Sequence, residues 1–353
     1  MFRLRRLLGP LAVGIAAITM LAACGSSSKS STGGSSGGGS STTLRLGYFP
    51  NVTHAPAIIG VVNGSFAQAL GPNVKLSLKT FNSGSEATTA ILAGALDASF
   101  VGPNPAINAY QKTGGDVRIV SGTASGGAYF VVKPSINSAA DLKGKKIATP
   151  QLGNTQDVAL RTWLNNNGLH VTKSGGDVTI LPEDNAVTLT AFEQGSIDGA
   201  WVPEPWATRL VTEGGGKVLV EESTLWPQGK FTTTVLLVTK SFLDAHRDVV
   251  QKLVGALYDS IDEIKTNPAQ ARQQTSDGIK NVTGKALKPS IIDASFQHIT
   301  FTLDPIAPSL QTSADNAKAL GFLKSSDLGN IFDLSIVNQV LQAHGQAQVQ
   351  VQP

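Results

Sequence analysis

The chain has 353 residues, a formal net charge of +3 and a single cysteine. The excess positive charge sits in Arg3, Arg5 and Arg6: taking these three from 28 basic residues leaves 25 against 25 acidic ones. The body therefore has no basic field for nucleic acid and no polybasic patch for a membrane surface, and one cysteine excludes an internal disulfide.

The basic start leads into an apolar run from Leu7 to Met20 and then Leu21-Ala22-Ala23-Cys24. A charged n-region, a short apolar stretch and small residues before a cleavage point make a secretory signal over 1–23. The apolar run falls short of the roughly 20 residues that a spanning helix needs. The last four residues resemble the bacterial lipobox, which implies lipidation of Cys24 and a body held at the outer face of the cell membrane. Residues 25–43 are almost wholly Gly, Ser and Thr, so 24–43 reads as a lipidated cysteine and a flexible linker. Such a coil reaches roughly 20–25 Å. About 310 residues follow the linker's end at 43, enough for two lobes of ordinary size.

Strand-like and helix-like runs then alternate. Leu44–Tyr48 reads as a strand, Ala55–Leu70 as a helix, Val74–Phe81 as a strand and Ser85–Leu92 as a helix. Asp97–Val101, Ala106–Gln111 and Val117–Ser121 continue the alternation, which argues for mostly parallel sheets flanked by helices, an α/β fold. The pattern repeats: 94–101 (GALDASFV) lines up with 195–202 (GSIDGAWV) at an offset of 101, and the same offset sets Leu46 on Ile147. Two matched blocks at one offset predict two similarly built lobes. Thr233–Thr239 reads as a strand returning to the first lobe. Helical pattern follows over Phe242–Ile264, Pro268–Ile279, Lys288–Gln297 and Ile331–Ala343. The expected division is a discontinuous first lobe over 44–128 and 233–345, a second lobe over 129–232 and a tail over 346–353. Crossings near 127–131 and 231–235 would leave a cleft with a hinge.

Four stretches carry a family resemblance: 44–56 (LRLGYFPNVTHAP), 90–105 (AILAGALDASFVGPNP), 138–164 (SAADLKGKKIATPQLGNTQDVALRTWL) and 192–206 (FEQGSIDGAWVPEPW). They resemble the substrate-binding proteins of ABC importers, and within them the aliphatic-sulfonate, taurine and nitrate group. The resemblance implies a two-lobed periplasmic-binding-protein-like fold of type II that closes on a small anion and hands it to a permease with its ATPase. It implies a monomer, no cofactor and no nucleic-acid partner. An aliphatic sulfonate is the best reading of the ligand, with nitrate, taurine or a pyrimidine precursor as alternatives.

Ligands of open α/β sheets bind beyond the carboxyl ends of the strands. The turns there offer Phe49, Asn51, His54, Ser83, Gly84, Ser85, Pro103, Asn104, Ser125, Gly126, Gly153, Asn154, Thr155, Gln156, Glu204 and Trp206. They hold hydroxyls, amides and glycines but hardly a Lys or Arg, so helix N-termini and neutral donors would hold an anion. Several of these residues have a structural alternative. Ser85 and Asn154 stand where helix N-caps belong, and Glu204 is better placed to bond the next helix than to meet a ligand. Trp201 reads as core, while Trp206 would cover an apolar tail.

An enzyme or a surface scaffold is the lesser reading. The five histidines (54, 170, 246, 298 and 344) are scattered without metal-ligand spacing, and no nucleophile elbow, Walker loop or dinucleotide fingerprint is present. Catalysis would have to rest on carboxylates such as Glu86, Asp157 or Glu204. A scaffold would not require a paired-lobe cleft.

Overall fold

The structure is a computed structural model describing residues 42–172 and 175–351. The signal segment, Cys24 and most of the linker lie outside the described residues. The chain opens with β1 (Thr42–Tyr48), a 3-10 turn at Val52–His54, α1 (Ala55–Val62) and α2 (Ser65–Leu70). The single helix expected over 55–70 is broken because Gly64, at a φ of 77°, leaves the helical region and starts a second helix. Next come β2 (Val74–Thr80), α3 (Gly84–Leu92), β3 (Ala98–Val101), α4 (Pro103–Lys112) and β4 (Val117–Gly126).

The middle of the chain holds β5 (Ala128–Val132), β6 (Lys146–Thr149), α5 (Thr155–Asn166) and the short pair β7 (Val171–Thr172) and β8 (Gly175–Gly176). It continues through β9 (Thr179–Pro182), α6 (Asn185–Glu193), β10 (Gly199–Pro203), α7 (Trp206–Thr212) and β11 (Lys217–Glu221). The last part is β12 (Thr232–Thr239), α8 (Lys240–Ala245), α9 (Arg247–Thr266), α10 (Pro268–Thr283), α11 (Pro289–Gln297), β13 (Ile299–Phe301), α12 (Ala307–Ala319) and α13 (Ser335–Ala343). The helix expected over 242–264 is split at His246, whose φ of −137° and ψ of 46° are not helical. Among the elements with no counterpart in the sequence reading are β13 and α12. β13 is three residues long, and α12 buries a stripe of mostly small residues (Ala307, Leu310, Ala314, Ala317) too weakly apolar to announce a helix.

Two main sheets result, ordered β13-β4-β12-β3-β1-β2 and β11-β5-β10-β6-β9. Each is mixed rather than mostly parallel. In the first, β1 pairs in parallel with β2 and β3, while β12 runs antiparallel to β3 and β4, and β13 antiparallel to β4. In the second, β6 pairs in parallel with β9 and β10, and β5 antiparallel with β10 and β11. Two of the reversed strands, β5 and β12, are those that receive the chain from the other sheet, and the third, β13, follows α11. The repeat survives in the register: Leu46 faces Ala98 in the first sheet and Ile147 faces Gly199 in the second, each 101 residues on.

Four apolar clusters lie one on each face of each sheet, because side chains alternate along a strand and helices cover both sides. Leu44, Leu46, Phe100, Leu236 and Val238 point into one face of the first sheet, and Val101, Ile119, Val235 and Leu237 into the other. In the second sheet Phe130, Ile147 and Trp201 share one face, and Val131, Ala148, Ala200 and Val202 the other. Trp201 is a core residue, as the sequence suggests. The chain passes between sheets at Gly126–Gly127 and again across 222–231, slightly earlier than expected. Among the described residues no helix is long and apolar enough to cross a membrane.

Candidate functional site

The parallel strands β1, β2, β3, β6 and β9 all end at the seam between the two sheets, and the turns that follow them meet around a cavity of about 40 Å³. One water needs roughly 10–15 Å³ measured in that way, so the space admits a small anionic group. β1 delivers Phe49, Asn51, Thr53 and His54, and β2 delivers Asn82, Ser83 and Gly84. β3 contributes Gly102 and Pro105, β6 Pro150 and Asn154 to Gln156, β9 Asn185, β10 Pro203 and β12 Thr233. α3, α5 and α6 all begin here, presenting N–H groups without helical partners and the positive ends of three helix dipoles.

The side chains add donors. Ser83 is the N-cap residue of α3 but makes no capping bond, and its Oγ is buried without a partner among the described residues. Thr155 Oγ1, in the first turn of α5, is likewise buried and unpaired. Asn154 is a working cap: its side chain accepts the Asp157 N–H at 3.1 Å. His54 Nδ1 accepts the Phe49 N–H at 3.4 Å, and the two rings stack 4.5 Å apart. Burial pushes the His54 pKa down to about 3, so the ring is neutral and, with Nδ1 accepting, carries its proton on Nε2.

No Asp, Glu, Lys or Arg is among the residues lining the cavity. Nearby carboxylates are engaged elsewhere. Asp157, fully buried, takes the Arg161 Nε–H at 2.9 Å, the Thr149 hydroxyl at 2.9 Å and the Gly153 N–H at 2.8 Å. Glu204 accepts the Thr208 N–H at 3.1 Å, the Thr208 hydroxyl at 2.9 Å and the Ser295 hydroxyl at 3.2 Å. Glu86 Oε2 accepts the Asn82 N–H at 3.1 Å. Among the described residues no group of three His, Cys, Asp or Glu is placed to hold a metal ion.

Two glycines let the walls close. A Cβ on Gly84 would lie 2.3 Å from Pro105 Cγ, and one on Gly102 would lie 2.7 Å from Thr155 Oγ1. The second contact joins the two sheets, as do three hydrogen bonds: Trp206 Nε1 to Asn51 Oδ1 at 2.9 Å, Asn82 Nδ2 to Asp184 Oδ2 at 3.4 Å and the Ser85 N–H to Gln151 Oε1 at 3.2 Å. Outside the cavity, and sharing Asn51, Asn82 and Asn185 with it, runs a groove of about 1000 Å³ walled by Trp206, Phe81, Leu189 and Ile291. Arg209 lies 4.8 Å over the Trp206 ring and donates to Glu213 at 2.7 Å.

Of the sixteen residues singled out in the sequence, Phe49, Asn51, His54, Ser83, Gly84, Asn154, Thr155 and Gln156 line the cavity, and Trp206 lines the groove. Ser85, Pro103, Asn104, Ser125, Gly126, Gly153 and Glu204 line neither. Ser85 is two positions too late, since Ser83 takes the cap. Asn104 faces α12, donating to the Ser313 carbonyl at 3.2 Å. Ser125 and Gly126 belong to the strand crossing, and Glu204 has the structural role favoured from sequence. Asn82, Gly102 and Asn185 lie in turns the sequence marks but were not themselves selected. Thr53, Pro105, Pro150 and Pro203 lie in the stretches that carry the resemblance but were not selected, and Thr233 carried no signal that set it apart.

The comparisons with known proteins agree with this geometry. A taurine-binding periplasmic protein of Escherichia coli (strain K12) is 29% identical over 217 residues, 60% of this chain and 64% of that protein, so the match spans under two thirds of the relative. A putative aliphatic sulfonates-binding protein of Bacillus subtilis (strain 168) is 27% identical over 344 residues, 95% of this chain and 97% of that protein. An alkanesulfonate-binding protein from Xanthomonas axonopodis pv. citri, solved with MOPS bound, shares the fold at a TM-score of 0.69 and 22% identity, over 81% of this chain and 96% of that one. A periplasmic nitrate-binding protein from Synechocystis PCC 6803 shares it at 0.70 and 16%, over 86% and 89%. The NMT1-like family model matches residues 37–277, more than half of the sequence, and the chain belongs to that family.

Proposed function

We propose that the chain is the extracytoplasmic receptor of an ABC importer, binding a small organic anion, an aliphatic sulfonate, between its sheets and passing it to a permease with its ATPase. The observation that carries this reading is the cavity between the sheets, which has no charged side chain in its lining but has three helix starts and two unpaired buried hydroxyls. A sulfonate is ionised, accepts through three oxygens and has no proton to give, so donor-rich neutral surroundings suit it. Its tail would leave past Asn51 and Asn82 and lie along Trp206 in the outer groove. The names of the taurine and aliphatic-sulfonate relatives support the class. Nitrate is the second reading, favoured by the small volume of the cavity, which would enclose an anion that has no tail.

In this reading 44–128 with 233–345 and 129–232 are lobes that close on the ligand, the protein acts as a monomer without catalysis, and lipid on Cys24 anchors it. Calorimetry with ethanesulfonate, taurine and nitrate at matched ionic strength tests the ligand. Saturable sulfonate binding below millimolar concentration supports the assignment, nitrate alone moves it to the second reading, and binding of none of the three defeats both. The anchor has its own test: Cys24→Ser should leave the membrane fraction, and a variant that still resists high-salt and carbonate washing overturns lipidation.

A further inference from the structure

Asn185 is the first residue of α6, is 5% exposed, and lines both the cavity and the outer groove. Its Oδ1 is buried and has no hydrogen-bond partner among the described residues. This atom differs in kind from the unpaired Ser83 Oγ and Thr155 Oγ1, because a hydroxyl turns to donate whereas an amide oxygen only accepts. An anionic head group satisfies the hydroxyls and the helix N–H groups but leaves Asn185 Oδ1 unpaired once water is excluded, which is costly.

We propose that Asn185 is a specificity-determining residue that accepts a hydrogen bond from a hydroxyl on the ligand, so that the preferred substrate class is a short alkanesulfonate hydroxylated near its head group. The proposal rests on the sulfonate reading above and deepens it. In so small a cavity the acceptor and the head-group donors lie within a few bonds of one another, which places the hydroxyl one or two carbons from the sulfur. A hydroxyl fits better than an ammonium because the cavity lining offers no carboxylate to balance a positive charge. Asp184 lines the outer groove instead and already accepts from Asn82 at 3.4 Å.

The test is calorimetry of ethanesulfonate, 2-hydroxyethanesulfonate and 2-aminoethanesulfonate with the wild type, Asn185→Ala and Asn185→Asp, each variant first shown to melt cooperatively. The wild type should bind the hydroxylated ligand about three- to tenfold more tightly than ethanesulfonate, the range of one net hydrogen bond. Asn185→Ala should bring that ratio to about one, and Asn185→Asp should shift the preference to the amino ligand. A ratio unchanged in Asn185→Ala overturns the proposal. So does an equal weakening of all three ligands, which would make the amide a donor to the head group. If the wild type binds none of the three, the underlying sulfonate reading fails, and the inference falls with it.

Discussion

The carboxylate of Asp97 accepts the backbone N–H of Arg45 at 2.8 Å, and 101 residues later the carboxylate of Asp198 accepts the backbone N–H of Lys146 at the same distance. Each aspartate also returns its own N–H to the carbonyl of that partner, at 2.9 and 2.8 Å. The pair thus pins the end of one helix–strand link to the neighbouring parallel strand in both sheets. The two sites differ in surroundings. Asp97 is buried and also takes the Arg45 Nε–H at 2.8 Å, whereas Asp198 is half-buried. Asp97→Ala should therefore cost about 2–3 kcal/mol, near the upper end for charged hydrogen bonds, and Asp198→Ala about 1 kcal/mol. Urea denaturation of the two variants checks the order; equal losses would show that Arg45 adds nothing.

His54 should make stability fall in acid. Its folded pKa of about 3 lies below the ordinary 6.5, so its contribution is complete above pH 6.5 and is lost as the pH falls toward 3. Between pH 6.5 and 5 the loss from this group alone is about 2 kcal/mol. His54→Asn keeps an acceptor for the Phe49 N–H but cannot titrate, so its melting point should fall less over that window than that of the wild type.

Glu222 acts in the opposite direction. It is buried in the second crossing, where Oε2 accepts the Trp201 indole N–H at 2.7 Å, and burial pushes its carboxyl up to about 7. Its contribution is complete below pH 4.5 and is lost as the pH rises through 7. Glu222→Gln should match the wild type near pH 4.5 and exceed it above pH 7 by up to about 3 kcal/mol. Thermal melts at pH 4.5 and 8 measure the difference, and a variant that gains nothing at pH 8 refutes the assignment.

Ser83→Ala with Thr155→Ala should weaken ethanesulfonate binding at least tenfold, because each lost bond to a charged group costs about 1.5–3 kcal/mol. Ser85→Ala, two residues beyond the cap Ser83 and outside the cavity lining, should change binding less than about twofold, since its contact is a backbone N–H to Gln151. If Ser85→Ala proves the more damaging, the head group lies elsewhere along α3.

Much of the fold was legible because its parallel half is a repeated unit: the offset of 101 read from 94–101 and 195–202 reappears in the pairings Leu46–Ala98 and Ile147–Gly199. The antiparallel half was not, since the apolar run Val235–Val238 fits a buried strand of either direction. At the site, the turns were identifiable but the residue within each turn was not. A shift of two positions in where α3 starts decides whether Ser83 or Ser85 takes the cap, and helix ends are uncertain by that amount in any sequence. Thr233 was invisible for a different reason: the antiparallel strand β12 brings it to the cavity, and its own stretch looks like ordinary core.

Strands β4 and β5 form almost one ribbon, interrupted only at Gly126 and Gly127, whose φ values are 83° and 71°. Neither position has room for a side chain: a Cβ on Gly126 would lie 2.8 Å from the His298 carbonyl, and one on Gly127 2.5 Å from Ile299 Cγ1. The two sheets therefore hang on a common spine rather than on slack cords. Any change in the angle between them would twist that ribbon together with the second crossing over 222–231. In the proposed clamp, how far the mouth would gape depends in part on two residues that do not border the space it guards.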